Sequence, residues 1–274
     1  MATKSTKKSA KKAASKKSAP KKPVKKAIKK SIAAKPLPAN REPAAKRLAA
    51  APPGHGVAKL EIKPERVTEI LKILHATYPD VECALLHSSP WQLLVATILS
   101  AQCTDVRVNM VTPKLFATYP TPKAMSEAPI EALEALIRTT GFYHNKAKSI
   151  QGAGLVITEK FDGKVPQTME ELLTVPGAAR KTANVVLGVA YGKAEGVVVD
   201  THVFRLSRRL GLTRSDTPQA IEQDLMKIIP KDRWIEFSHE LIHHGRQICE
   251  ARKPKCAACP LETLCHAPDK TWSS

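Results

Sequence analysis

Cys249, Cys256, Cys259 and Cys265 stand with six, two and five residues between them. Thiolates bind soft metal ions, and four at this spacing can close on one centre, either a zinc ion or an iron–sulfur cluster. Cys83 and Cys103 stand apart, a pattern that favours a metal centre over a disulfide framework and fits a reducing compartment. Arg246, Arg252, Lys253 and Lys255 surround or separate the four cysteines and give that loop a basic edge suited to phosphates. A second candidate is Lys181, which follows Arg180 in the first turn of a predicted helix at about 179–190. The positive end of a helix and a neighbouring like charge are both expected to favour a free amine, a nucleophile able to form a covalent imine. The plainer role for such a lysine is a surface contact to phosphate. Asp200 precedes THVFRLSRRL and is placed to cap a helix there. His202, two residues on, suits packing or a hydrogen bond better than acid–base work.

The elements that must position these residues read as helices. From Lys59 onward the apolar spacing is helical nearly everywhere, and the only strand-like run is Val197 to Val199, so the fold class is all-α. Pro64 opens a helix that stops before Pro79, with Val67, Ile70, Leu71 and Leu74 on one stripe. Ser89 caps an apolar core helix with Pro90 in its first turn. Further helices are predicted at about 104–118, broken or kinked at Pro113, and at 129–139, 145–160, 169–174, 179–190, 201–210, 218–229 and 231–251. In VPGAARKTANVVLGVAYG a short amphipathic helix meets Pro176 and Gly177, and a second helix starts at once. This resembles a helix-hairpin-helix, whose tight turn bares backbone N–H groups at a helix N-terminus for an anion such as a DNA phosphate. A Pro-Gly link between helices is also a common plain connection.

The charge is unevenly spread. The formal net charge is +19, but residues 1–58 hold 17 of the 44 lysines and arginines and one acid, Glu42. With so few large apolar side chains, residues 1–58 are expected to form a disordered Lys/Ala/Pro-rich basic tail, acting as a phosphate clamp, a solubilising segment or an address. No apolar h-region and no run of about 18 apolar residues appears, so the expectation is an intracellular protein without a membrane span.

PGxxRKTANVVL, VVVDTHVFRLSRRLGL, LLVATILSAQCTDVRVN and the C-terminal cysteine array together resemble, in order and spacing, the endonuclease III family of DNA glycosylases. The resemblance covers roughly residues 59–268. It implies two helical lobes: a six-helix domain at 83–193 with the helix-hairpin-helix, and a second lobe of 59–82 with 194–268 holding a [4Fe–4S] cluster on the four cysteines. It also implies a bifunctional glycosylase and abasic-site lyase of base excision repair. Its substrates would be oxidised, ring-saturated or fragmented pyrimidines and abasic sites in double-stranded DNA. Lys181 would be the nucleophile and Asp200 the catalytic carboxylate. Gln102 and Phe142 would fill the gap left by an extruded nucleotide, and Gly177, Ala179 and Arg180 would contact the backbone. As alternatives, Gln102 is a polar helix end and Phe142 a half-buried loop anchor. The family hairpin usually reads GVG, whereas Ala178 and Ala179 follow Gly177 here, so close approach to phosphate is in question. The expected state is a monomer in the cytoplasm, associated with the nucleoid, with a nuclear location left open. The competing readings are a glycosylase of other base preference and a non-catalytic, histone-like DNA-binding protein.

Overall fold

The computed structural model describes residues 62–271. The expected basic tail at 1–58 lies outside the described residues. Within them the regular structure is helical: α1 (Pro64–Thr77), α2 (Pro90–Leu99), α3 (Asp105–Thr118), α4 (Pro122–Ser126), α5 (Ile130–Ile137), α6 (Tyr143–Lys160), α7 (Met169–Leu173), α8 (Arg180–Tyr191), α9 (Thr201–Arg209), α10 (Pro218–Ile228) and α11 (Trp234–Gln247). Short 3₁₀ turns follow at Arg138–Thr140, Lys231–Arg233, Cys256–Ala258 and Glu262–Leu264.

Local chemistry sets the helix starts. The side chains of Ser89, Thr104, Thr121, Thr168, Asp200 and Thr217 each accept from a first-turn amide, relieving donors that no helical carbonyl reaches. Burial sets the packing. Every residue from Leu93 to Leu99 is buried, which makes α2 the axis of the first lobe. At about 1.5–3 kcal/mol for each large aliphatic side chain removed from water, this one helix is a principal source of that lobe's stability.

The two lobes have separate hydrophobic cores. One runs from Leu85 to Leu187 and gathers side chains of α2 to α8. The other joins Val67 to Tyr78 with Val197 to Leu261, so α1 packs with the C-terminal helices and not with its sequence neighbours. Arg66 on α1 secures the arrangement by donating to the carbonyls of Leu210 and Leu264, and Tyr78 Oη lies 3.1 Å from His244 Nδ1 on α11.

The structure departs from the predicted elements at three places. Helix α3 is not broken at Pro113. That residue is exposed, while Val108, Val111, Thr112, Leu115 and Phe116 are buried on the other side, and their burial outweighs the one hydrogen bond that proline removes. In keeping with the all-α reading, the Val197–Val199 run forms no strand; two of its three side chains enter the second core, and the Val198 amide donates to Ser238 Oγ at 3.1 Å. Helix α11 ends at Gln247 rather than near Ala251, because the Cys249 amide closes onto His244 O at 2.8 Å and turns the chain toward the other cysteines. Helix α4, only five residues long, was not expected. No helix among the described residues is long and apolar enough to cross a membrane.

Candidate active site

Helices α7 and α8 form the hairpin. Gly177 has φ +82°, a conformation that a β-carbon disfavours, and a β-carbon there would also lie 3.0 Å from Ser149 Cβ and 3.2 Å from Ile98 Cδ1. Ala178 is buried, and Ala179 has φ −72°, which any residue adopts. The departure from the family's glycine pattern therefore demands no strained backbone at either alanine. Ala179 offers no side-chain cap, so the first-turn amides of α8, at Arg180, Lys181 and Thr182, lack the relief that the capped helices have. The macrodipole at that end favours an anion.

Lys181 is exposed at the start of α8 and lines two adjoining pockets, of about 90 and 670 Å³; Asp200 lines both as well. Asp200 Oδ1 accepts from the amides of His202 and Val203, each at 2.8 Å, and this N-cap holds the carboxylate rigidly at the start of α9. The like charge expected beside Lys181 is compensated: Arg180 Nε donates to Glu222, 2.9 Å from Oε2 and 3.1 Å from Oε1. Arg180 is thus turned to a carboxylate of the second lobe. His202 lines the wider pocket, with Nδ1 3.3 Å from Arg205 Nη2, and burial pushes its pKa down.

Gln102 is exposed, lines the wider pocket with Lys181 and Asp200, and has φ +52°. Phe142 lines neither pocket. It stands at the start of α6 with φ +50° and is 66% exposed, which rules out a half-buried loop anchor. Left-handed backbone costs a non-glycine residue about 1–2 kcal/mol. Strain of this kind is concentrated at functional positions, and both residues carry it.

Cys249, Cys256, Cys259 and Cys265 line one further pocket together and form no disulfide. Two donors already point at their sulfurs: Arg209 Nη1 lies 3.4 Å from Cys249 Sγ, and the Thr271 amide lies 3.4 Å from Cys256 Sγ. Burial pushes the Cys259 thiol up to about 11 and raises Cys265 as well, so thiolates here need a positive partner, which a metal centre supplies. Four unbridged thiols on one pocket, with N–H donors beside two of them, are a donor set that fits a soft metal centre, zinc or iron–sulfur.

Several pocket residues escaped the sequence pattern. Asp105, at the start of α3, pairs with Arg246 near the end of α11, and both line the two pockets. Ser238, His239 and His243 line the smaller one. The available signal was the run SHELIHHG, whose histidines at 239 and 243 fall four apart on one helical face. The same run matches the HExxH pattern of zinc hydrolases. Glu240, however, is fully buried, its Oε1 accepts from Arg233 Nη2 at 2.8 Å, and it does not line the pocket that His239 and His243 line.

Residues 95–231 match the family model described as HhH-GPD superfamily base excision DNA repair protein. An endonuclease III of Synechocystis sp. is 58% identical over 207 residues, covering 76% of this chain and 94% of the relative. Among solved structures, a non-covalent endonuclease III–DNA complex superposes with a TM-score of 0.72 at 43% identity, covering 75% of this chain and 96% of that one. A trapped endonuclease III–DNA covalent intermediate gives the same TM-score at 44% identity, covering 75% and 97%. With this identity spread over nearly the whole length of the relative, the chain belongs to the endonuclease III family of base excision DNA repair proteins.

Proposed function

We propose that the protein removes damaged pyrimidines from double-stranded DNA and cuts the strand at the resulting abasic site, with Lys181 as nucleophile. The observation that carries this reading is the meeting of Lys181 and Asp200 on the walls of two adjoining pockets beside an uncapped helix N-terminus. The Lys181 amine gives its lone pair to C1′ of the deoxyribose as the base departs with the electrons of the glycosidic bond. Asp200 stabilises the positive charge that develops on the sugar and takes the proton released by the amine. The C1′–O4′ bond then breaks as O4′ takes up the proton held by Asp200, which gives an imine between Lys181 and C1′. Loss of a C2′ proton to water expels the 3′ phosphate, and hydrolysis of the imine releases the lysine.

Chemistry on a base within a duplex requires extrusion of its nucleotide. In this reading Gln102 meets the orphaned partner base with hydrogen bonds, and Phe142 stacks in the gap. In the same reading the hairpin meets backbone phosphates at Gly177, Ala179 and Arg180, the last while its Nε stays on Glu222. Cys249, Cys256, Cys259 and Cys265 would hold a [4Fe–4S] cluster, which supplies folding energy to a loop poor in large apolar residues. Residues 83–193 form one unit and 59–82 with 194–268 the other, with DNA lying across the cleft. The protein works as a monomer on the nucleoid. Borohydride trapping on duplexes that each carry one defined lesion tests the reading: adducts should form with ring-saturated and oxidised pyrimidines and with abasic sites. Binding to these duplexes without any adduct would favour a histone-like protein instead.

A further inference from the structure

Gln102 and Phe142 are two of only three non-glycine residues with left-handed backbone among the described residues. One side chain is bonded to both of their turns. Lys146, on α6, is 5% exposed, and its Nζ donates to Leu99 O and to Thr140 O, each at 2.8 Å. Leu99 is the last residue of α2, three before Gln102; Thr140 ends the 3₁₀ turn two residues before Phe142. Both acceptors are therefore terminal helix carbonyls, which lack helical partners and carry the negative end of a dipole. An ammonium suits them better than a neutral donor. Lys146 holds the second turn by its backbone as well, its amide donating to Phe142 O at 3.1 Å. A lysine is costly to bury, and this one is held by the two carbonyls that its ammonium satisfies.

We infer that Lys146 is a positioning residue for base extrusion: it ties the turn bearing Gln102 to the turn bearing Phe142, so that the two enter the duplex as one preset pair. The inference rests on the proposed gap-filling role of those two residues. Their separation must match a gap in stacked bases, and small misplacements in such constellations are expensive in rate. Without the ammonium, two terminal carbonyls lose their donor and each turn is free to relax independently.

Single-turnover rates at saturating full-length enzyme test this. Lys146→Met is compared with the unaltered protein on a duplex containing one dihydrothymine, and on a single strand containing one abasic site, where no partner base has to be displaced. The ratio of the duplex rate to the single-strand rate should fall about tenfold or more. An unchanged ratio, whether both rates fall together or neither does, overturns the inference. Because the buried substitution can prevent folding, the duplex rate is also measured for Gln102→Ala, Phe142→Ala and the double variant, all at exposed positions. A clamped pair acts as a unit, so the double loss should fall short of the product of the single losses by about threefold or more. Losses that simply multiply overturn the clamp. If neither single variant slows the duplex reaction, the gap-filling reading itself fails. Slowed single variants with an unchanged Lys146→Met ratio remove only the clamp.

Discussion

Arg180, beside the candidate nucleophile in sequence, and Glu222 join the two lobes: Arg180 Nε on α8 lies 2.9 Å from Glu222 Oε2 on α10, and Asn184 Nδ2 on α8 lies 2.9 Å from Glu222 Oε1. Glu222 is buried, so its charge depends on these two donors. The helix that carries Lys181 in the first lobe is thereby fixed to the second lobe, from which Asp200 comes.

Removing the guanidinium should therefore cost more than removing both partners. Arg180→Ala leaves a buried carboxylate with one neutral donor and is expected to lower unfolding stability by about 2 kcal/mol. In Arg180→Ala with Glu222→Gln much of that loss should return, because no charge is stranded. Urea unfolding of the single and double variants checks this; a double variant as unstable as the sum of the singles would contradict it.

Asp224 gives a prediction about acid. Its carboxylate accepts from Thr213 Oγ1 at 2.6 Å and Ser215 Oγ at 2.8 Å, and these hydrogen bonds hold its pKa below the ordinary value of 3.8. A carboxylate depressed in the folded state contributes stability above its unfolded pKa and loses that contribution as pH falls through the folded one. The stability difference between the unaltered protein and Thr213→Val should hence be constant at neutral pH and shrink as pH drops below about 4. A difference independent of pH down to acid unfolding would show that the hydroxyl does not act through the charge.

The four cysteines predict a yellow-brown protein containing about four iron atoms per chain after anaerobic purification. Cys256→Ser should lose both colour and iron, together with thermal stability, since coordination supplies folding energy to this loop. Metal analysis and thermal melts check this. One zinc per chain without iron would contradict the cluster while leaving the helical fold intact.

Residues 1–58 carry 17 basic residues against one acid, whereas the rest of the chain is close to balance. If they clamp phosphates, deleting them should flatten the dependence of log affinity on log salt for undamaged duplex, because each neutralised phosphate releases about 0.9 counterion. Single-turnover cleavage at saturating enzyme should change little. An unaltered salt slope would leave the segment as an address or a solubiliser.

Much of this architecture was legible in the residues themselves. Ser89 and Pro90 before an unbroken apolar run announce a buried helix, Asp200 before THVF announces an N-cap, and both are found. These features are local, so sequence spacing carries them. The pairing of Asp105 with Arg246 joins residues 141 apart, and Lys146 serves carbonyls from two different helix ends. Such partners are chosen by tertiary packing and leave no periodic trace. Of the predicted break or kink at Pro113, the break is absent for the same reason, since propensity is local and the burial that overrides it is not. Adjacency alone suggests a like charge pressing on Lys181, and only the fold places Glu222 against Arg180.

In the proposed function the Lys181 amine forms the covalent bond to DNA. The most direct measurement is borohydride trapping of Lys181→Gln on a duplex with one abasic site, alongside its circular dichroism and its affinity for the same duplex. The trapped adduct should vanish while fold and binding persist, since an amide cannot form the imine. An adduct of undiminished yield in that variant would contradict the assignment and place the nucleophile elsewhere.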